Sequence, residues 1–223
     1  MKLAVGRVLS INIARESQEQ SWSNSGNRTG INKVGVEGPV LFSGEGVVGD
    51  TVVDRINHGG YNKAVYAYAR EDAQWWEAEI GKPIAAGQFG ENLTTKDLDL
   101  SGAVIGEQWR IGDLLLEVAE PRIPCRIFAG FWDRPSLIKE FTEANRSGAY
   151  LRIIQGAAIE KGEIIEITHR PGHGITIADV FAARAGARER IDAIAAVEEL
   201  SPEYQNWAGR ISVSAKFNRR SSQ

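Results

Sequence analysis

Glu107-Gln108-Trp109-Arg110-Ile111-Gly112-Asp113-Leu114-Leu115-Leu116-Glu117-Val118-Ala119 is the stretch that decides the fold class. Trp109 and Ile111 alternate with Gln108 and Arg110. After Gly112-Asp113 the alternation resumes with Leu114, Leu116 and Val118. Period two on both sides of a Gly-Asp turn predicts a β-hairpin with one buried face. Upstream, Ala64–Ala69 (Ala-Val-Tyr-Ala-Tyr-Ala) predicts a strand buried on both faces. It leads into a helix near 70–80 on which Ala73, Trp76 and Ile80 share a face. Residues 3–13 predict a strand, and 14–32, rich in Ser, Asn, Gln and Gly, predict a loop. Downstream, a helix near 135–146 carries Leu137, Phe141 and Ala144 on one side. Ala149–Ile154 and Glu163–Thr168 predict a further strand pair around Gly156 and Gly162.

Past Pro171-Gly172-His173-Gly174 the pattern turns helical. Thr176 caps a helix bearing Ile177, Val180 and Phe181, and a second helix spans roughly 188–200. Ser201-Pro202-Glu203 opens a third, with an N-cap serine and a proline at the first helical position. Its Tyr204, Trp207 and Ile211 recur at spacings of three and four. The expected fold class is therefore mainly β, with strands over 1–171, a three-helix extension over 172–213, and a flexible basic tail over 214–223.

The chain has 223 residues, 43% of them apolar and 25% charged, enough to bury one core without disulfides. Lys and Arg number 26 and Asp and Glu 29, a net charge of −3, which argues against general affinity for nucleic acid or anionic membranes. Gly6, Arg7 and Asn12 interrupt the first apolar run, so no signal peptide is expected. No apolar stretch reaches the ~20 residues of a membrane span. One cysteine and no export signal suggest a reducing, cytoplasmic setting.

That cysteine, Cys125, lies in Glu120-Pro121-Arg122-Ile123-Pro124-Cys125-Arg126. A lone cysteine forms no internal disulfide and holds no iron–sulfur cluster. It can act as one nucleophile, give one soft thiolate to a metal, or simply be buried as a small hydrophobe. The two prolines argue against an ordinary mid-sheet strand here. Asn57-His58-Gly59-Gly60-Tyr61-Asn62-Lys63 can be an anion cradle, with amides turned outward by Gly59 and Gly60 and charge from Lys63, or a plain turn. In Gly87-Gln88-Phe89-Gly90-Glu91-Asn92-Leu93-Thr94-Thr95, Asn92 can meet the edge of a planar heterocycle or satisfy its own turn. Arg152, inside an apolar strand, needs a phosphate or a core carboxylate such as Asp113. No two histidines have metal-ligand spacing, and there is no Walker loop, G-x-S-x-G or dinucleotide fingerprint.

In this order the stretches resemble the MOSC family, the molybdenum cofactor sulfurase C-terminal domain, and its bacterial YiiM-like branch in particular. The resemblance runs over Lys33 with Glu37–Val40, Gly46–Asp50, Asn57–Tyr68, Phe89–Thr94, Ile111–Asp113, Pro121–Cys125 and Gly148–Ile153. Phe-Gly-Glu-Asn-Leu and Pro-Arg-x-Pro-Cys are its specific parts. It implies a MOSC-type β-barrel with short peripheral helices and the three-helix extension. It also implies the molybdenum cofactor, a pyranopterin-dithiolene molybdenum, with Cys125 as metal ligand and catalytic residue and Asn92 as the second catalytic residue. Lys33, His58, Gly59, Gly60, Lys63, Glu91, Asn92, Arg122 and Arg152 are the implied cofactor-binding set. Pyridoxal phosphate binding is a further implied property.

The implied reaction is reduction of N-hydroxylated compounds such as hydroxylaminopurines and amidoximes. With one cysteine and no flavin or nicotinamide motif, it calls for an external flavoprotein or ferredoxin-type electron donor. The rival expectations are a sulfur or cofactor carrier using a Cys125 persulfide, and a non-catalytic binding module. The run after Cys125, Arg126–Trp132, is more aromatic than the resemblance leads one to expect, which directs attention to the substrate pocket.

Overall fold

The hairpin is present, and its alternation becomes the inside of a barrel. A computed structural model describes residues 3–19, 28–44 and 46–221. The expectations for Met1-Lys2, for 20–27 within the first loop and for the last two residues lie outside the described residues. Seven strands form the barrel: β1 (Leu3–Ile13), β2 (Val65–Ala69), β3 (Leu93–Lys96), β4 (Gln108–Ile111), β5 (Leu114–Pro121), β6 (Ala149–Gln155) and β7 (Ile164–His169). They follow one another as β7-β4-β5-β6-β2-β3-β1, and β1 closes the ring on β7. Closure leaves the ring without a free edge. All pairings are antiparallel except β2 with β3. That parallel pair needs a crossover, and α1 (Arg70–Ile80) lies in it.

The two strands expected to pair with each other, β6 and β7, do not. β6 lies between β5 and β2, and β7 between β4 and β1. Between them in sequence, Ala157–Ile159 leaves the ring to pair with Val40–Ser43. β5 also runs further than expected, to Pro121, which pairs with Ala149 at the end of its ladder. A proline is tolerated there because few ladder bonds remain to be lost.

β2 shows how the alternation is used. Val65, Ala67 and Ala69 join Trp109, Ile111, Leu114, Leu116 and Val118 in the main apolar core. Tyr66 and Tyr68 point the other way, into a second, aromatic cluster with Trp76, Phe89, Phe128 and Phe141. That cluster is roofed by α1, α2 (Arg126–Phe131) and α3 (Leu137–Ala144). The aromatic run after Cys125 therefore serves packing: Phe128 is fully buried and Trp132 packs at a tilt against Phe89, 5.7 Å between ring centres.

The C-terminal helices are α4 (Ile177–Ala185), α5 (Ile191–Ala195) and α6 (Pro202–Ser221). Thr176 and Asp179 form a reciprocal capping box at the start of α4. α5 is shorter than expected, and α6 is longer, continuing past residue 213 through Ser221. Ile177, Val180, Ile191, Ile194, Leu200 and Tyr204 share the barrel's apolar cluster, so the extension is packed onto the barrel. Among the described residues, no helix is long and apolar enough to cross a membrane.

Candidate functional site

A cavity of about 350 Å³ opens beside the end of β5. Its wall includes Lys33, His58, Lys63, Tyr66, Asn92, Arg122, Cys125 and Tyr150. Cys125 is the N-cap of α2, with extended backbone (φ −124°, ψ 170°), and is partly exposed. The residues from Pro121 to Pro124 carry the chain off the sheet and set this thiol on the wall. Among the described residues, no three His, Cys, Asp or Glu side chains gather to hold a bare metal ion. Cys125 can thus supply one soft ligand to a metal that another group holds.

Arg122 is 4% exposed. Its guanidinium lies 4.7 Å from the centre of the Phe128 ring and 5.2 Å from that of Tyr66. Among the described residues it has no carboxylate partner, and its Nη1 is buried without a hydrogen bond. Such a group is costly to bury, and an anion in the cavity would relieve the cost. Tyr150 sits next to it, opposite Tyr66 in the β6–β2 register. Burial pushes the Tyr150 phenol up to about 12, against the pull of Arg122. His58, the last residue of a single helical turn (Arg55–His58), places Nδ1 3.0 Å from the Tyr150 hydroxyl. Burial, with Arg122 and Lys63 adding to it, lowers His58 to about 4.

The remaining polar groups are largely committed. Lys33 Nζ lies 2.5 Å from Asp50 Oδ2. Burial draws the lysine below its usual range while Asp50 opposes the shift. Asn92 donates from Nδ2 to Asp50 Oδ2 (2.8 Å) and accepts at Oδ1 from the Tyr66 amide (3.3 Å). Lys63 Nζ stands 3.5 Å from both Glu120 of β5 and Glu203 of α6, tying the helical extension to the cavity.

The structure thus brings Lys33, His58, Lys63, Asn92, Arg122 and Cys125 to one cavity. It does not bring Arg152, Glu91, Gly59 or Gly60 to that wall. Arg152 donates to Glu117 (2.7 Å) and Asn62 (2.8 Å), so the carboxylate alternative holds, with Glu117 in place of Asp113. Glu91 accepts from the amides of Gly87 (2.6 Å) and Phe89 (3.0 Å) and from Thr94 Oγ1 (2.8 Å), which makes it the clamp of its own loop. The Gly59 amide is bound to the Arg55 carbonyl, and Gly60 serves the turn with φ +88°. Asn92 reaches the wall, but its amide is spent on Asp50 and Tyr66. Tyr66, Tyr150 and Asp50 were not singled out from the sequence. The two tyrosines lay in strands read as core, and Asp50 lay in a glycine-rich turn with no visible partner.

The profile of the MOSC domain matches residues 54–166. The chain is 29% identical over 170 residues to YflK of Bacillus subtilis (strain 168), covering 76% of each. It is 34% identical over 139 residues to a protein named reductase from Gibberella moniliformis, covering 60% of this chain but only 25% of that one. Among solved structures, YiiM from Geobacillus stearothermophilus superimposes with a TM-score of 0.76 at 26% identity, over 92% of this chain and 98% of that one. With a matching profile across half its length and a YiiM structure superimposing over 92% of it, the chain belongs to the MOSC domain family, in its YiiM-like branch.

Proposed function

We propose that this protein is a molybdenum-cofactor oxidoreductase that reduces the N–O bond of N-hydroxylated compounds. The observation that carries the reading is Arg122: a buried guanidinium with an unpartnered Nη1, three residues from the one cysteine and on the same cavity wall. A thiolate beside an unsatisfied cationic donor suits a group that presents both a soft metal and anionic oxygens. The relative named reductase adds support.

In this reading Cys125 would give its sulfur to the metal and Arg122 would hold the anionic part, while Lys63 stays between Glu120 and Glu203. Lys33 stays closed on Asp50 and shapes the wall. When bound, the cofactor supplies the electron pair for N–O cleavage, while the protein binds, orients and shields. The chain has one cysteine and no flavin or nicotinamide motif. Electrons therefore come from a separate flavoprotein or ferredoxin-type donor. Pyridoxal phosphate fits less well. Its aldehyde seeks a free lysine amine, and both wall lysines are engaged with carboxylates.

The test is metal analysis and oxidised-pterin fluorescence on protein made in cells rich in the cofactor, native against Cys125→Ala, followed by assay with a hydroxylaminopurine. Near-stoichiometric molybdenum, lost in the variant, is expected. Its absence from both overturns the reading. A single added sulfur mass on Cys125 in that case would favour the carrier reading, which the partly exposed thiol also permits.

A further inference from the structure

The head of α6 meets the chain where β5 hands over to the cysteine segment. Pro121 closes the β5–β6 ladder, and from Arg122 to Cys125 the chain lies in no strand or helix. The Tyr204 hydroxyl of α6 stands 3.4 Å from the Pro121 carbonyl oxygen. A carbonyl only accepts, so the phenol donates. Burial holds that phenol above its usual range, so it keeps its proton. Tyr204 is itself fixed: it is buried in the barrel's apolar cluster, and the Arg184 guanidinium of α4 lies 5.4 Å over its ring. One residue earlier on each side, Lys63 Nζ stands 3.5 Å from Glu120 Oε1 and 3.5 Å from Glu203 Oε2. Two successive residues of α6, Glu203 and Tyr204, thus grip two successive residues at the end of β5, Glu120 and Pro121. The first grip runs through Lys63 and the second is direct.

We infer that Glu203 and Tyr204 are positioning residues for Cys125: through them the helical extension holds the Pro121–Cys125 segment, and with it the thiol, on the cavity wall. Each contact is long, and an ion pair to the largely exposed Glu203 is weak by itself. The grip comes from both contacts acting on a strand end against which α4 also packs. Release of the head of α6 leaves the Pro121 carbonyl without this donor and Lys63 with one carboxylate in place of two. The run from Arg122 to Cys125, held by no ladder, is then free to move. The extension is in this way part of the frame of the cavity. The hold on the thiol is a property of the fold, while its consequence for metal binding rests on the proposed function.

The chain has one cysteine, so the rate of alkylation by iodoacetamide, followed by mass, reads the Cys125 thiol alone. Tyr204→Phe keeps the buried ring and loses only the hydroxyl. Its thiol should react about threefold to tenfold faster than that of the folded native protein, as for loss of one ordinary hydrogen bond. Glu203→Gln should give about a twofold rise, as for a weak exposed ion pair. Thr176→Ala removes the cap of α4 in the same extension, and should lower the thermal midpoint while leaving the thiol at its native rate. An unchanged or slower rate in Tyr204→Phe overturns the inference. An equal acceleration in Thr176→Ala overturns it too, since any loosening of the extension would then free the thiol. In cofactor-rich cells Tyr204→Phe should carry less molybdenum than native protein made alongside, and equal loading would break the link to the metal. Absence of molybdenum from the native protein would strike the proposed function, while the alkylation rates would still decide the positioning role.

Discussion

Lys33 and Asp50 close on each other beside the cavity, Nζ lying 2.6 Å from Oδ1 and 2.5 Å from Oδ2. Both side chains are nearly buried, and Asp50 also receives the Ala14 amide (2.8 Å) and Asn92 Nδ2 (2.8 Å). One carboxylate thus ties together the first strand, the lysine segment and the start of β3. Asp50→Ala leaves a buried ammonium and the Ala14 amide without their acceptor and removes one of the two acceptors of Asn92 Nδ2. We expect a loss of about 3–5 kcal/mol in urea unfolding, the usual range for breaking a buried pair from one side. Lys33→Met should lose much less, because Asp50 keeps two donors. Equal losses would contradict the role of Asp50 as the shared acceptor.

His58 gives the stability a defined pH dependence. Its folded value of about 4 lies below the ordinary 6.5, so the unfolded chain takes up this proton first as pH falls. Stability from this group is intact above about 6.5, declines as pH drops toward 4, and levels off below. The full effect is up to about 3 kcal/mol. Urea unfolding of native protein and His58→Gln between pH 7.5 and 4 should show the native protein losing more, with the curves parallel above pH 7. Parallel curves throughout would mean that His58 is protonated as readily folded as unfolded.

The hairpin, the doubly buried β2 and the Thr176 cap were legible because each is written in local spacing. Ring closure of β1 on β7 and the separation of β6 from β7 were not, because alternation marks which face is buried and says nothing about the neighbour. The site behaves the same way. Cys125 and Arg122 stand out as neighbours in sequence. The partners that decide what each polar group is free to do lie far off: Asp50 is 17 residues from Lys33, Glu117 is 35 from Arg152, and Tyr150 is 92 from His58. Motif reading names groups that can bind, while the fold determines which are already taken.

Gly87 is where the Glu91 loop meets the lysine segment. Its φ is +89°, its amide donates to Glu91 Oε1, and its carbonyl accepts from the Lys33 amide. A Cβ there would stand 2.4 Å from the Lys33 carbonyl oxygen. Gly87→Ala combines left-handed strain with a backbone clash, and should destabilise by more than roughly 2 kcal/mol. Thermal unfolding decides it, and an unchanged midpoint would show that the segment shifts freely.

Arg122 separates stability from function. Stacking on Tyr66 and Phe128 is worth roughly 0.5–2 kcal/mol, while a buried charge with an unsatisfied N–H carries a penalty of several kcal/mol. Arg122→Met keeps most of the packing and removes the charge. The cofactor-free variant should therefore unfold at a midpoint equal to or above the native one. The same variant should retain far less molybdenum when made alongside the native protein in cofactor-rich cells. Arg122→Lys should also retain less, since an ammonium cannot present the flat fork of donors. A loss of more than about 2 kcal/mol in Arg122→Met would mean that the guanidinium is held for the fold, and the reason for expecting an anion in the cavity would go with it.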